Sequence, residues 1–235
     1  MSIKAVLFDL DGTLLPMDLD EFIKHYFGGL AKKFASSGYD PQKLIKAIWS
    51  GVSAMKDDTE RLNEESFWDC LYGVFGEDLK KDLYLFDDFY NNDFDKLSSI
   101  CGYNEQADET IKLLKEKDVT IILATNPVFP EIATKKRMKW AGLDAEDFAL
   151  VTTYENSKSI KPSSAYYNEI LQKIGLNPDE CIMVGNDVDD DMPAESLGLK
   201  VFLLTDCLIN KSGVDISRYP NGSFDELQKF LMENI

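Results

Sequence analysis

Long hydrophobic runs are missing from this chain of 235 residues. None approaches the roughly 20 apolar residues needed to span a bilayer, which excludes a membrane-spanning helix. Basic residues are scarce: 25 Lys and Arg stand against 42 Asp and Glu, a formal charge of −17. Such a balance repels phosphate backbones and anionic lipid, so nucleic acid and membrane surfaces are not expected as partners. An anionic ligand would have to meet local positive charge, and a bound metal ion is the simplest source. The four cysteines (Cys70, Cys101, Cys181, Cys207) form no C-x-x-C pair and read as reduced thiols rather than a disulfide framework. The apolar stretch that ends at Phe8 is too short for a secretory signal and runs directly into Asp9. No internal repeat or low-complexity tract is present. What remains, 44% hydrophobic and 29% charged, describes an ordinary globular protein, expected to be soluble and cytoplasmic.

Short apolar runs recur along the chain at Ile3–Phe8, Val119–Ala124, Phe148–Thr152, Cys181–Val184 and Lys200–Leu204. Each is short enough, and rich enough in branched side chains, to be a buried strand. Helical patterns separate them: one over Glu105–Lys117, one starting near Pro130, one after Pro162 and one after Asp191. Strands alternating with helices predict an α/β protein whose parallel sheet is covered on both faces. Ligand sites in such sheets lie at the carboxyl ends of the strands.

The stretch from Met17 to Leu97 breaks this rhythm. Four sets of apolar residues at helical spacing run through it, beginning at Leu19, Leu44, Phe67 and Leu79, with helix starts expected at Asp40-Pro41 and Glu64-Glu65. It holds 15 of the 27 aromatic residues, enough for a small core of its own. The expected organisation is therefore a core of residues 1–16 and 98–235 with an all-helical domain, 17–97, inserted after the first strand.

Four polar constellations follow predicted strands: Asp9-Leu10-Asp11-Gly12-Thr13, Thr125-Asn126, Lys161-Pro162 and the run Gly185-Asn186-Asp187-Val188-Asp189-Asp190-Asp191. Residues two apart on an extended strand end point the same way, so Asp9 and Asp11 can face one site. Pro162 fits the first turn of the helix after it. This chemistry suits phosphoryl transfer. One carboxylate can attack phosphorus and a second, protonated, can supply the leaving group's proton. A hard divalent cation would relieve the clustered negative charge. A lysine and a hydroxyl can stabilise the equatorial oxygens.

These four motifs, in this order and each after a strand, resemble those of the haloacid dehalogenase superfamily. The resemblance spans the chain, including a helical cap between the first and second motifs. It implies a Rossmann-like doubly wound core, Mg²⁺ as cofactor and an aspartyl-phosphate intermediate. It further implies that Asp9 is the nucleophile and a metal ligand, and that Asp11 is the general acid/base and lends the metal its backbone carbonyl. Thr125, Asn126 and Lys161 would hold the phosphoryl group, and the remaining metal ligands would come from Asn186, Asp187 and Asp191. The final motif here opens Gly-Asn where Gly-Asp is usual. Either Asn186 coordinates through its amide oxygen, which the spacing to Asp191 favours, or Asp187 takes over.

The resulting expectation is a phosphatase acting on a small phosphorylated metabolite. A sugar phosphomutase of the β-phosphoglucomutase kind and a non-catalytic binding protein of the same fold are the alternatives. Oligomeric state is left open, and a monomer is compatible with everything above. Elsewhere the plainer readings lead. Lys135, Lys136, Arg137 and Lys139 read as the solvated face of a helix, and Asp189 and Asp190 as a solvated helix N-terminus. His25 reads as surface or packing, and Trp49 and Trp68 as core residues first and substrate wall second.

Overall fold

The computed structural model describes residues 2–57 and 59–235. Met1 and Asp58, which fall in the expected segments 1–16 and 17–97, lie outside the described residues. Six parallel strands form one sheet: β1 (Ala5–Phe8), β2 (Thr120–Leu123), β3 (Leu150–Val151), β4 (Cys181–Gly185), β5 (Lys200–Leu204) and β6 (Asn221–Gly222). Their spatial order is β3-β2-β1-β4-β5-β6. β1 is central, with Phe8 opposite Leu123 of β2 and Val184 of β4. The chain builds outward from β1 on one side and then returns to its other side, so the strand order reverses between β1 and β4. The crevice at that reversal, beyond the carboxyl ends, is where an open α/β sheet gathers ligands.

All four residues of β1 are buried. Successive side chains alternate between two apolar layers: Val6, Phe8, Ile121 and Leu123 enter one, and Ala5, Leu7, Ile122 and Met183 the other. Both faces being covered explains why these strands read as unbroken hydrophobic runs. The second layer is closed by α7 (Ser164–Ile174) through Tyr166, Tyr167 and Ile170. The first is closed by α5 (Glu105–Glu116), α6 (Glu131–Trp140) and α8 (Phe224–Asn234). β6 and α8 were not among the elements expected, since Asn221-Gly222 carries no apolar run.

Three helices open the insert: α1 (Leu19–Ala35), α2 (Pro41–Asp57) and α3 (Asn63–Phe75). The Asp18 carboxylate caps α1 by accepting the Glu21 N–H at 2.9 Å, and Lys32 and Lys33 close its last turn. Those terms outweigh Gly28 and Gly29, and the helix runs unbroken through them. The expected fourth helix is instead a series of short pieces: a 3₁₀ segment Glu77–Asp82, α4 (Tyr84–Asp88), a π turn Phe89–Asp93 and a 3₁₀ segment Phe94–Ile100.

The insert also lacks the separate core expected of it. Phe22, Phe89 and Phe94 belong to one apolar cluster that continues through Phe129 to Phe8 and Val184 of the sheet. Phe129 packs edge-on against both Phe22 and Tyr26, which stitches insert to core with rings rather than a linker. Two further expectations fail locally. The segment after Asp191 is a 3₁₀ turn, Met192–Leu197, and not a full helix. Pro162 precedes α7 rather than entering its first turn, because Ser163 is the cap; the Lys161-Pro162 peptide is cis.

Candidate active site

The register places the ends of β1, β2 and β4 side by side, so the residues that follow them meet. Asp9 leaves β1 with its N–H on the Val184 carbonyl at 2.9 Å. Its carboxylate is held at both oxygens. Lys161 donates to Oδ1 at 2.7 Å, and Thr13 donates to Oδ2 at 3.2 Å. Gly12 turns the chain between them with φ +84°, and a Cβ there would sit 2.3 Å from the Asn186 amide nitrogen. Glycine is thus required both for the turn and for the approach of the fourth motif to the first.

Lys161 is 3% exposed and bridges two carboxylates, donating also to Asp191 Oδ1 at 2.6 Å. Burial works against its charge, but Asp191 and Asp9 outweigh it and hold the ammonium well above the ordinary lysine range. Asp191 accepts the Asp187 N–H at its other oxygen, 3.0 Å away, so both its oxygens are engaged within the protein. Burial pushes its carboxyl upward against the pull of Lys161. Its carboxylate fills the space where Gly185 has no side chain; a Cβ there would lie 2.0 Å from Oδ2.

Asn186 is buried and its amide is fully oriented. Oδ1 accepts from Thr13 at 2.9 Å and Nδ2 donates to the Cys207 carbonyl at 2.7 Å. One hydroxyl, that of Thr13, therefore joins the Asp9 carboxylate to the Asn186 carboxamide. Asp187 turns Oδ1 back onto the N–H groups of Asp189 and Asp190, at 2.8 and 3.2 Å. Thr125 is buried, its carbonyl accepting from Thr152 at 2.7 Å and Tyr166 at 2.9 Å. Asn126 donates to Asp190 at 3.4 Å, and its own Oδ1 has no protein partner.

All eight residues expected at the site line or abut one cavity of about 320 Å³. Asp190, read from sequence as a solvated helix end, lines it too. Among the described residues, no group of three His, Cys, Asp or Glu side chains closes around a point as a metal cage. The available donors are mixed: a carboxylate at Asp9, a main-chain carbonyl at Asp11, and the amide or carboxylate of Asn186 and Asp187. A few hard oxygens, leaving room for water and phosphate, match what Mg²⁺ accepts, whereas Ca²⁺ takes six to eight oxygen ligands.

Arg137 departs furthest from its reading. It is not on a solvated face; its side chain is fully buried. The guanidinium pairs with Asp11 Oδ2, donates to Thr134 Oγ1 at 3.2 Å and to the Ala133 carbonyl at 3.4 Å, and lies 4.4 Å from the Phe129 ring centre. Asp11 Oδ1 is buried without a partner. Burial raises the Asp11 carboxyl above its ordinary range even against Arg137, which suits a group that holds a proton. The helical periodicity of α6 is weak, so nothing in the local pattern separates Arg137 from the exposed lysines around it.

A family model described as haloacid dehalogenase-like hydrolase matches residues 3–198. The chain belongs to that family. A phosphoglycolate phosphatase of Vibrio vulnificus is 31% identical over 204 residues, covering 86% of this chain and 84% of its own. Pyrophosphatase PpaX of Halalkalibacterium halodurans is 25% identical over 200 residues, covering 85% and 82%. Among solved structures, a HAD phosphatase from Thermococcus onnurineus superposes with a TM-score of 0.58 at 22% identity, covering 97% of this chain and 98% of that one. At that identity the likeness establishes the fold. No described helix of this family member is long and apolar enough to cross a membrane.

Two further residues belong in any account of the site. Asn63, at the start of α3, is buried and donates to the carbonyls of Pro127 and Ser159, each at 3.2 Å. It ties the insert to the loops that carry Thr125-Asn126 and Lys161. Trp49 of α2 is 50% exposed and lines the cavity, so it is wall rather than core, while Trp68 packs inside the insert against Phe86. His25 is exposed on α1 and does not line the cavity.

Proposed function

We propose that this hydrolase is a Mg²⁺-dependent phosphatase that cleaves a small phosphomonoester through a phosphorylated Asp9. One observation carries the reading. Two carboxyl groups two residues apart on the central strand's end face one cavity in opposite settings. Asp9 is held at both oxygens by Lys161 and Thr13, and Asp11 is half-buried with its hold on a proton strengthened.

In this reading an Asp9 oxygen forms a bond to phosphorus as the bond to the leaving oxygen breaks. Asp11 delivers its proton to that oxygen. Water then attacks the phosphorus of the acyl phosphate, giving its proton back to Asp11 and freeing Asp9 and phosphate. Lys161, with the Thr125 hydroxyl and the Asn126 amide, offsets the charge on the phosphoryl oxygens. Asp191, a metal ligand in the set the resemblance implies, is here assigned to orienting Lys161, whose ammonium it accepts from at 2.6 Å. Asp9, the Asp11 carbonyl and Asn186 would hold Mg²⁺, with Asp187 beside them, because the Thr13 hydroxyl already draws the Asp9 and Asn186 oxygens together. When bound, the ion supplies the positive charge that lets an anionic phosphate approach a group of carboxylates.

The helical insert acts as a cap, with segments 1–16 and 98–235 as the catalytic core and 17–97 covering the site. The family match and the phosphatase-named relative at 31% identity support a phosphoric monoester hydrolase. The test is release of phosphate from p-nitrophenyl phosphate with Mg²⁺ and with a chelator. Mg²⁺-dependent turnover that disappears in Asp9→Asn is expected. Absence of turnover on this ester and on a panel of metabolite phosphates would overturn the reading.

A further inference from the structure

The wall of the cavity opposite the phosphate-binding motifs is apolar. Leu19 and Ile23 of α1 and Trp49 and Val52 of α2 line it from the insert. Their spacing of three or four residues is that of one helix face looking down on the site. From the core side Phe129 and Ile160 complete it. Trp49 is half exposed, its ring 5.4 Å from that of Phe27. Among the described large apolar residues that are exposed, it is the one on this cavity.

Charge is distributed just as unevenly. Among the described lining residues, the insert offers the cavity one charged group, Asp20, and no cation. The basic residues of α1 lie on its other side. Lys24, His25, Lys32 and Lys33 line a separate cavity of about 720 Å³ that contains none of the motif residues. The catalytic cavity itself is ringed by Asp9, Asp11, Asp20, Asp187, Asp190 and Asp191 against Lys161 and Lys211. Lys161 is engaged by Asp9 and Asp191 and, on the reading above, by the phosphoryl group, which leaves Lys211, an exposed side chain on the loop after β5. A doubly charged metal ion would be matched by one phosphoryl dianion, so it would leave no positive charge for a second anion. Apart from the exposed Lys211, a second anionic group on the substrate would meet hydrocarbon or carboxylate. The relatives whose names mention phosphoglycolate and pyrophosphate act on molecules that carry such a group.

We infer that the substrate is the phosphate monoester of a neutral, largely apolar alcohol, with its hydrocarbon body lying against Trp49, Ile23 and Val52. The inference rests on the phosphatase reading above and adds the leaving group's chemistry. A cavity of about 320 Å³ is at the small end for ligand sites and suits a phosphoryl group carrying one ring rather than a nucleotide.

Three esters with alkoxide leaving groups of similar basicity test it: 2-phenylethyl phosphate, 2-hydroxyethyl phosphate and phosphoglycolate, each with Mg²⁺ and the full chain. Burial of the phenyl group is expected to give 2-phenylethyl phosphate a kcat/KM about tenfold or more above the other two. Trp49→Ala should lower turnover of the phenyl ester several-fold more than that of the hydroxyethyl ester, and Ile23→Lys should move preference toward phosphoglycolate. Phosphoglycolate turned over as well as or better than the phenyl ester by the parent overturns the inference. So does an equal fall on both esters in Trp49→Ala, which a merely structural tryptophan would produce. A second measurement separates this from failure of the phosphatase reading. Calorimetric binding of 2-phenylethylphosphonate and phosphonoacetate needs no turnover. If no ester is hydrolysed but the phenyl compound binds more tightly, the catalytic reading falls and the pocket assignment stands. Equal or tighter binding of phosphonoacetate overturns the pocket assignment itself.

Discussion

The sheet's carboxyl edge and the insert above it face the same cavity with opposite materials. The edge supplies paired polar groups: Lys161 between Asp9 and Asp191, Thr13 between Asp9 and Asn186, and, separately, Arg137 on Asp11. The insert supplies hydrocarbon and rings, with its cations turned away. Each side does what its scaffold allows. Strand ends fixed in register hold a buried charge at a set distance from its partner, and a buried charge without a partner is very costly. A helix face packed mainly through rings can exchange one side chain for another without disturbing a hydrogen-bond network. On the proposed reading, chemistry resides on the edge and discrimination on the insert.

The comparison breaks most sharply at Asp9. Asp9→Asn keeps the shape and loses the attacking oxygen, so kcat should fall on the order of 10⁴-fold or more while the circular-dichroism melting curve stays close to that of the parent. Asp11→Asn comes next. On an alkyl phosphate the loss should be roughly 10²–10⁴-fold, and smaller on p-nitrophenyl phosphate, whose leaving group needs no proton. An unchanged rate on the alkyl ester would remove Asp11 from the acid/base role.

Arg137→Leu asks whether the edge is a network or a set of separate residues. It leaves the half-buried Asp11 carboxyl without its partner, and urea unfolding at neutral pH should show a loss of roughly 1–3 kcal/mol. The deficit should shrink on acidification, because the abandoned carboxyl is then relieved by taking up a proton. A change within about 0.5 kcal/mol, the usual range for surface substitutions, would return Arg137 to the solvated face. Mg²⁺ titrations of activity order the metal ligands. Asn186→Ala should weaken the metal dependence about tenfold or more and Asp187→Asn by less, and the reverse order would make Asp187 the ligand. Trp49→Ala sharpens the comparison from the insert's side. Its stability cost should be small, about 1 kcal/mol from the lost contact with Phe27, whatever it does to substrate preference.

How far the sequence carried can be read from particular residues. β1, β2, β4 and β5 were legible because strands buried on both faces are unbroken apolar runs. The fourth insert helix was legible only as apolar spacing, since 3₁₀, α and π turns differ in hydrogen bonding and not in composition. Asp9, Asp11, Thr125 and Asn126 could be picked out because each closely follows a strand, and a parallel sheet brings such positions together whatever lies between them. Lys161, well beyond β3, and the choice of Asn186, Asp187 and Asp191 within their acidic run came from the resemblance to the haloacid dehalogenase motifs. Arg137 and Trp49 could not. Both were assigned by their neighbours in sequence, a basic run and an apolar helical repeat, whereas their partners are 126 residues away in one case and a cavity wall in the other.

The sequence alone thus determined the parallel sheet, the helical insertion and the set of groups that gather at the crevice. The first two follow from hydrophobic periodicity, a local property of the chain, and the third from short motifs that lie after strands and resemble those of a known family. Tertiary structure alone decided which charge is paired with which, which helix face looks into the cavity, and that insert and sheet share one apolar cluster. Burial and charge pairing are relations between distant residues, and the energy of a buried charge is set by the partner it meets rather than by the residues beside it.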